Sequence, residues 1–188
     1  MMFNESNTVE AMIRDLLCGP QKAASGTALA ETPAPYVTNG LAGRGIGWHF
    51  IAAAALPRQP QDVFVEEYVR DALIRLNPDI AAKPDRAEEV VYRLRAIVLA
   101  VRSDGLVSAN EEFTAWLRGE RSMPFGKNHE HVTIHLMDYS DLSRNQYVAT
   151  TQYIFRAGPA ERRADLILLV NGLPLVLVEA KTPVRNAV

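Results

Sequence analysis

Residues 161–181 read Glu161-Arg-Arg-Ala-Asp-Leu-Ile-Leu-Leu-Val-Asn-Gly-Leu-Pro-Leu-Val-Leu-Val-Glu-Ala-Lys181. Two apolar runs, Leu166 to Val170 and Leu175 to Val178, flank the sequence Asn-Gly-Leu-Pro. Each run has the length of a strand and is too short for an ordinary helix. Asn-Gly between such runs favours a hairpin, because both residues tolerate positive φ. Pro174 restricts the turn, so the pattern predicts a loop of two to four residues.

The register of this hairpin brings polar residues together at its open end. With the loop centred on Gly172, Asp165 lies opposite Glu179. A slip of one residue would make them diagonal neighbours, and in either case their side chains lie within roughly 5–8 Å of each other. Glu179 and Lys181 are two positions apart on one strand and share a face, whereas Ala180 points to the other face.

Two carboxylates held this close repel each other, and strand formation alone does not require the arrangement. A divalent cation between them removes the repulsion. Mg²⁺ prefers oxygen ligands and usually takes one or two carboxylates together with water and phosphate. Lys181 beside the metal could orient a water or stabilise charge on a phosphate, which suggests metal-assisted phosphodiester hydrolysis. The alternative is an ion cluster that only solubilises the strand ends.

The same residues resemble the PD-(D/E)xK nuclease motif, although Ala164 stands where the motif name has proline. They are most similar to the N-terminal nuclease domain of the restriction (motor) subunit of type I restriction-modification enzymes. The similarity extends through Asn145-Gln-Tyr-Val-Ala-Thr-Thr-Gln-Tyr153. More weakly, it includes residues 67–78 and 4–10.

The resemblance implies an α/β fold of the restriction-endonuclease type, with a mixed β-sheet flanked by helices. It assigns Asp165 and Glu179 as metal ligands, Lys181 as the catalytic lysine and Mg²⁺ as the cofactor. A glutamate of the first helix often joins such sites, and Glu10 fits that position. Asn7-Thr-Val-Glu10 is also a capping-box pattern, in which Glu10 would only return a hydrogen bond to the helix start.

Partners also follow from the resemblance: double-stranded DNA, and the methyltransferase and specificity subunits of the complex. Two ATP-driven motor lobes are expected beyond Val188, so the chain is interpreted as the N-terminal part of a larger restriction subunit, and ATP is expected to bind only to the absent motor. The functional prediction is a DNA endonuclease module. Two alternatives are an assembly or docking module with little activity of its own, and another PD-(D/E)xK nuclease that acts in DNA repair.

Length and composition set further bounds. The chain has 188 residues, 48% of them hydrophobic, enough for a single domain over residues 1–188. A net charge of −2 predicts weak DNA binding by this piece alone. The single cysteine, Cys18, has no partner for a disulfide. The chain has no secretory signal and no apolar stretch of about 18 residues, which favours a cytoplasmic protein with no membrane contact.

Periodicity predicts helices first and a sheet of about four strands afterwards. Residues 19–45 are rich in small residues and predict a long flexible loop. Residues 46–56 fit either a strand or a helix. The alternation of Val132, Ile134 and Leu136 predicts one strand of the sheet. Helices are predicted over residues 8–17, 62–76, 84–101 and 108–118, the last with a capping box of Ser108 and Glu111.

Among the arginines near the hairpin, Arg163 and Arg185 are the candidates for phosphate contacts. Three histidines would lie on the same face of one strand: His129, His131 and His135. Their spacing is not compact enough for metal ligands, so we expect a solvated face rather than a metal site. Gly126-Lys127 lacks the following Ser or Thr of a phosphate loop, which argues against ATP binding here.

Overall fold

The structure is a computed structural model that describes residues 9–19 and 45–180. Its helices precede most of its strands, as the periodicity predicted. The helices are α1 (Ala11–Cys18), α2 (Glu66–Leu76), α3 (Pro78–Ala81), α4 (Arg86–Asp104) and α5 (Leu106–Leu117). The strands are β1 (His49–Phe50), β2 (Ser122–Met123), β3 (Val132–Thr133), β4 (Tyr147–Ala157), β5 (Ala160–Val170) and β6 (Leu173–Val178).

The main sheet has four strands in the order β1-β4-β5-β6. Strand β1 runs parallel to β4, while β4 with β5 and β5 with β6 are antiparallel. The sheet is therefore mixed, and the helices flank it. This confirms the predicted α/β fold class, which is consistent with a restriction-endonuclease-like fold.

Two apolar clusters hold the helices and the sheet together. The larger joins α2, α4 and α5 to the turn end of the β5–β6 hairpin through residues such as Leu73, Leu94, Trp116 and Leu173. The smaller lies along β4 and β5 and includes Leu169. Both clusters consist of aliphatic and aromatic side chains withdrawn from water, the main source of stability in such a fold.

Asn171 fixes the hairpin turn to the rest of the protein. It is buried, with φ of 51°, in the two-residue turn Asn171-Gly172. Its Nδ2 donates to the Leu136 carbonyl and to Asn145 Oδ1, both at 2.9 Å. Its Oδ1 accepts from the Gln146 amide at 2.8 Å and from Arg75 at 2.9 Å. The asparagine therefore ties the turn to α2 and to the chain that enters β4.

Gly172 allows the turn to approach the start of α2. Its carbonyl accepts a 2.9 Å hydrogen bond from the Val65 amide. A Cβ at this glycine would lie 2.5 Å from the Val65 carbonyl oxygen, and its φ is 82°. Any other residue would be strained here both by its backbone conformation and by its contact.

Helix boundaries were predicted to within a few residues, but the proposed cap of the fourth helix is wrong. Helix α5 begins at Leu106, and Ser108 and Glu111 lie inside it. Gly105, with φ of 86°, ends α4 and also serves as the N-cap of α5, without a side-chain hydrogen bond. The glycine turns the chain directly from one helix into the next, so no capping box is needed.

The strand predicted through Val132, Ile134 and Leu136 is only partly present. Val132–Thr133 pairs with β2 in a separate two-stranded sheet. Ile134 and Leu136 are buried as the alternation indicated, but the backbone of His135 hydrogen-bonds the side chain of Asn77 instead of a strand. The side chain of Asn77 thus makes the hydrogen bonds that a neighbouring strand would make. The apolar period of the sequence does not show such a contact, because Asn77 is distant along the chain.

Two other predictions have different outcomes. The ambiguous segment 46–56 forms β1 and a short 3₁₀ turn at Ala53–Ala55. The flexible loop was predicted for residues 19–45. All of these residues except the first and the last lie outside the described residues. Within the described ranges, no helix combines the length and the apolar character needed to cross a membrane.

We predict that Asn171→Ala lowers the free energy of unfolding by about 2–4 kcal/mol, because it leaves several buried partners without hydrogen bonds. Asn171→Gly removes the same amide but tolerates the left-handed backbone. Its free energy of unfolding should therefore fall by about 1 kcal/mol less than that of Asn171→Ala. Urea unfolding measures both differences.

Asn110→Ala is the matched control, because Asn110 is exposed on α5. This control should remain within about 0.5 kcal/mol of the wild type. Equal stability of Asn171→Ala and Asn110→Ala would show that the buried amide does not hold the turn in place.

Candidate active site

The β5–β6 hairpin has the register that the sequence predicted at its open end. Leu166 pairs with Val178, and Ile167 pairs with Leu177. A β-bulge between Leu168 and Leu169 shifts the register near the turn by one position. At the open end, the next pair of positions in the ladder is Asp165 and Glu179.

Asp165 links the two strands beyond the last ladder pair. It is half-buried, and its Oδ2 accepts a 2.8 Å hydrogen bond from the Ala180 amide. Glu179 is exposed beside it. The carboxylate of Asp165 therefore fixes the course of the chain just after Glu179 and before residue 181.

Glu10 is a buried carboxylate from a distant part of the sequence that is directed at the same sheet. It is only 4% exposed, at the start of α1. Its Oε2 accepts a 2.9 Å hydrogen bond from Gln152 Nε2 on β4. The alternative capping role required Asn7, which lies outside the described residues, and Glu10 is directed at the sheet rather than at its own helix.

Gln152 connects Glu10 to the strand position of Asp165. In the β4–β5 ladder, Thr151 pairs with Leu166 and Tyr153 pairs with Ala164. The intervening position, Gln152 opposite Asp165, is unpaired in an otherwise regular register. α1, β4 and the β5–β6 hairpin thus converge on one part of the sheet.

Two predicted site residues cannot be placed. Lys181 and Arg185 lie outside the described residues. Their expected roles, as catalytic lysine and phosphate contact, remain predictions.

A groove of about 470 Å³ runs beside Glu179 on the hairpin. Arg163 and Arg162 line it, and both are exposed. Its floor is largely apolar and includes Tyr153 and Leu177. The predicted phosphate contact Arg163 is thereby placed next to one of the predicted metal ligands.

The neighbouring aromatic residue, Tyr153, has a structural role. Its hydroxyl donates to the Val63 carbonyl at 3.2 Å, and the guanidinium of Arg58 lies 3.9 Å from the centre of its ring. Burial raises the pKa of the Tyr153 hydroxyl, which keeps the group neutral. Tyr153 therefore lines the groove as a neutral, fixed side chain and stabilises its shape.

The carboxylates of this region suit a hard divalent cation, because oxygen ligands are those that Mg²⁺ prefers. Within residues 9–19 and 45–180, no three acidic, histidine or cysteine side chains converge closely enough to enclose a metal ion. Mg²⁺ commonly uses one or two carboxylates and completes its shell with water and phosphate. The Asp165–Glu179 pair supplies that number of ligands, so the donor set fits the ion.

The histidines do not form a second site. His129, His131 and His135 are all exposed, as expected for a solvated face. His131 contacts Ser122 at 3.1 Å, and His135 uses its backbone to bind Asn77.

In the sequence, Gln152 is part of the segment 145–153 that extends the family resemblance, and Asn171 is part of a predicted turn. The irregular backbone of Gln152 leaves no mark in the local sequence, because the residues around it read as a plain strand. The partners of Asn171 lie about 25 to 96 residues away. Neither the contact of Gln152 with Glu10 nor the hydrogen bonds of Asn171 can be predicted from the neighbouring residues in the sequence.

We predict that Glu10→Gln raises the free energy of unfolding by about 1 kcal/mol at neutral pH without divalent cations. The substitution removes a charge that is almost fully buried, and its own amide oxygen can still accept from Gln152. Thermal and urea unfolding provide the measurement. Glu89→Gln, on an exposed part of α4, is the control. If Glu10→Gln were less stable than the wild type while Glu89→Gln was unchanged, the Glu10 charge would contribute to folding. A purely functional role for this charge would then be wrong.

Comparisons with known proteins agree on one family. Residues 41–188 match the family model described as type I restriction enzyme R protein N terminus. Glu10 precedes that range. No solved structure matches the chain significantly.

Curated relatives carry related names. The chain is 34% identical over 130 residues to the type I restriction enzyme HindI endonuclease subunit of Haemophilus influenzae, covering 66% of this chain and 12% of that protein. It is 26% identical over 129 residues to the putative type I restriction enzyme MjaIXP endonuclease subunit of Methanocaldococcus jannaschii, covering 64% of this chain and 12% of that protein. The chain thus spans about an eighth of the length of these relatives.

The hairpin that carries Asp165 and Glu179 lies within the matched range, and the match extends over most of the chain. The chain therefore belongs to the family of type I restriction enzyme R protein N-terminal regions.

Proposed function

We propose that this region is the Mg²⁺-dependent DNA endonuclease module of a type I restriction enzyme. It hydrolyses phosphodiester bonds of double-stranded DNA when assembled with ATP-driven translocase domains and with methyltransferase and specificity subunits. The observation that supports the proposal is the open end of the β5–β6 hairpin, where the ladder ends at the Leu166–Val178 pair, one position before Asp165 and Glu179. We expect the enzyme in the cytoplasm, where such partners and DNA are available.

The proposed roles follow from chemistry and position. Asp165 and Glu179 hold the cation, and the hydrogen bond from Ala180 keeps Asp165 in place. A Mg²⁺ held by these two carboxylates would supply Lewis-acid stabilisation for phosphodiester hydrolysis. Glu10 contributes a further carboxylate from α1. Lys181 is proposed to orient the attacking water and to stabilise charge on the phosphate.

DNA contacts are proposed along the groove beside Glu179. Arg163 and Arg162 are exposed there and can approach backbone phosphates. Arg185 is a further candidate. The net charge of −2 provides no general attraction for DNA, so capture depends on the other parts of the enzyme.

In the assembled enzyme, we predict that Asp165→Ala, Glu179→Ala and Lys181→Ala each slow plasmid cleavage by at least about 100-fold, because each removes a group that stabilises the transition state. Cleavage of supercoiled plasmid with Mg²⁺ and ATP measures the rates. Size-exclusion chromatography checks that each variant still assembles.

Glu89→Ala is the control and should cut at the wild-type rate, because Glu89 is exposed on α4. Wild-type cleavage by Asp165→Ala and Lys181→Ala in normally assembled complexes would refute the catalytic assignment. It would favour a docking role for this region.

We predict that Arg163→Ala weakens DNA binding and reduces the slope of log affinity against log salt concentration by about 1, since one phosphate contact is lost. Fluorescence anisotropy across a salt series measures both. Arg93→Ala, which removes an exposed arginine of α4, should change neither quantity. Equal effects of the two variants would show that Arg163 contributes only general charge.

A further inference from the structure

Gln152 has an unusual backbone for its location. It lies in the middle of β4, an 11-residue strand, yet its φ is 57°. Of the other non-glycine residues with positive φ in the described ranges, Asn128 and His129 lie in a short 3₁₀ segment and Asn171 lies in a turn. Glutamine has no intrinsic preference for the left-handed region, so surrounding interactions must hold it there.

The distortion occurs where it affects the proposed site. The β4–β5 ladder is regular on both sides of the Gln152 position and is interrupted only opposite Asp165. An irregularity of this kind redirects a side chain that would otherwise follow the alternation of the strand. In this structure the redirected carboxamide donates to Glu10, which is 142 positions away in the sequence.

The bond determines where the Glu10 carboxylate lies. The far end of α1 is already anchored, because the Leu17 carbonyl accepts from the backbone amides of Ile46 and Trp48. At the near end, the carboxylate is almost fully buried and requires a donor. Gln152 supplies that donor from the sheet and so sets the direction of the carboxylate.

A neutral donor suits this position better than a cationic one. A lysine or arginine would also bind Glu10, but its positive charge would repel a divalent cation nearby. An amide orients the carboxylate and leaves the negative charge available for the metal. Residues that orient metal ligands in this way commonly affect metal affinity by about 10- to 100-fold.

We propose that Gln152 is a positioning residue: its left-handed backbone directs its carboxamide to Glu10 and holds that carboxylate on the part of the sheet that carries Asp165, from where it acts on the cation bound by Asp165 and Glu179. The inference rests on the proposed nuclease function, which it deepens by assigning Glu10 to the site through a specific contact.

The first test needs neither metal nor activity. Gln152→Gly accepts the left-handed backbone but removes the amide, and Gln152→Asn also tolerates it but is one methylene too short to reach Glu10. Both variants should increase amide hydrogen exchange at the hydrogen-bonded amides of residues 15–18 in α1 by about 10-fold, because losing a hydrogen bond to a charged group favours local opening by about this factor. Gln61→Ala removes an exposed glutamine and should leave the exchange unchanged. Unchanged exchange in Gln152→Gly would overturn the proposal.

The second test separates positioning from a general structural effect. In the assembled enzyme, Gln152→Gly should raise the Mg²⁺ concentration for half-maximal cleavage by about 10-fold, while the maximal rate stays near that of the wild type. In a Glu10→Ala background, the same substitution should produce no further change. A loss of maximal rate without a change in Mg²⁺ dependence, or two effects that multiply, would overturn the proposal.

Asp165→Ala distinguishes this proposal from the proposed function. If Asp165→Ala abolishes cleavage but Gln152→Gly retains the wild-type Mg²⁺ dependence, the positioning role alone is wrong. If Asp165→Ala cleaves normally, the nuclease assignment itself fails, and the positioning role fails with it.

Discussion

The buried amide of Asn171 holds the β5–β6 turn against α2 and the chain that enters β4. All of its hydrogen-bonding directions are used, and its partners come from α2, from the segment after β3 and from the entry to β4. Buried polar groups with complete sets of partners specify one arrangement, because any alternative leaves several of them unsatisfied. The amide therefore fixes the β5–β6 turn in space and not only in local conformation.

The candidate site lies at the opposite end of the hairpin. The pairing of the strands there depends on how the turn and the bulge align β5 with β6. A shift of one residue would move every side chain of β6 to the other face of the sheet. The bulge between Leu168 and Leu169 sets the register that continues to Leu166 and Val178. Asp165 then closes the open end through the Ala180 amide, so both ends of the hairpin are held by side chains.

The hairpin could be predicted from sequence because its determinants are local. Strand length, the Asn-Gly turn and the order of residues along the two runs place Asp165 and Glu179 at facing or diagonal positions. The bulge between Leu168 and Leu169 then decides the register at the open end. The helices α2 and α4 were similarly visible from their apolar period. The prediction failed where a distant side chain took over a backbone role, as Asn77 does for His135, and where Gly105 replaced a capping box.

Local sequence was enough to predict the fold class, the family, the hairpin and the grouping of Asp165 with Glu179 at its open end. Each follows from residues that are neighbours along the chain or across a short turn. Only the tertiary structure decided that the Glu10 carboxylate is directed at the sheet and that Gln152 holds it there. The physical reason is distance along the chain: contacts between α1 and β4 depend on how the whole sheet and its helices pack, and no local pattern encodes them.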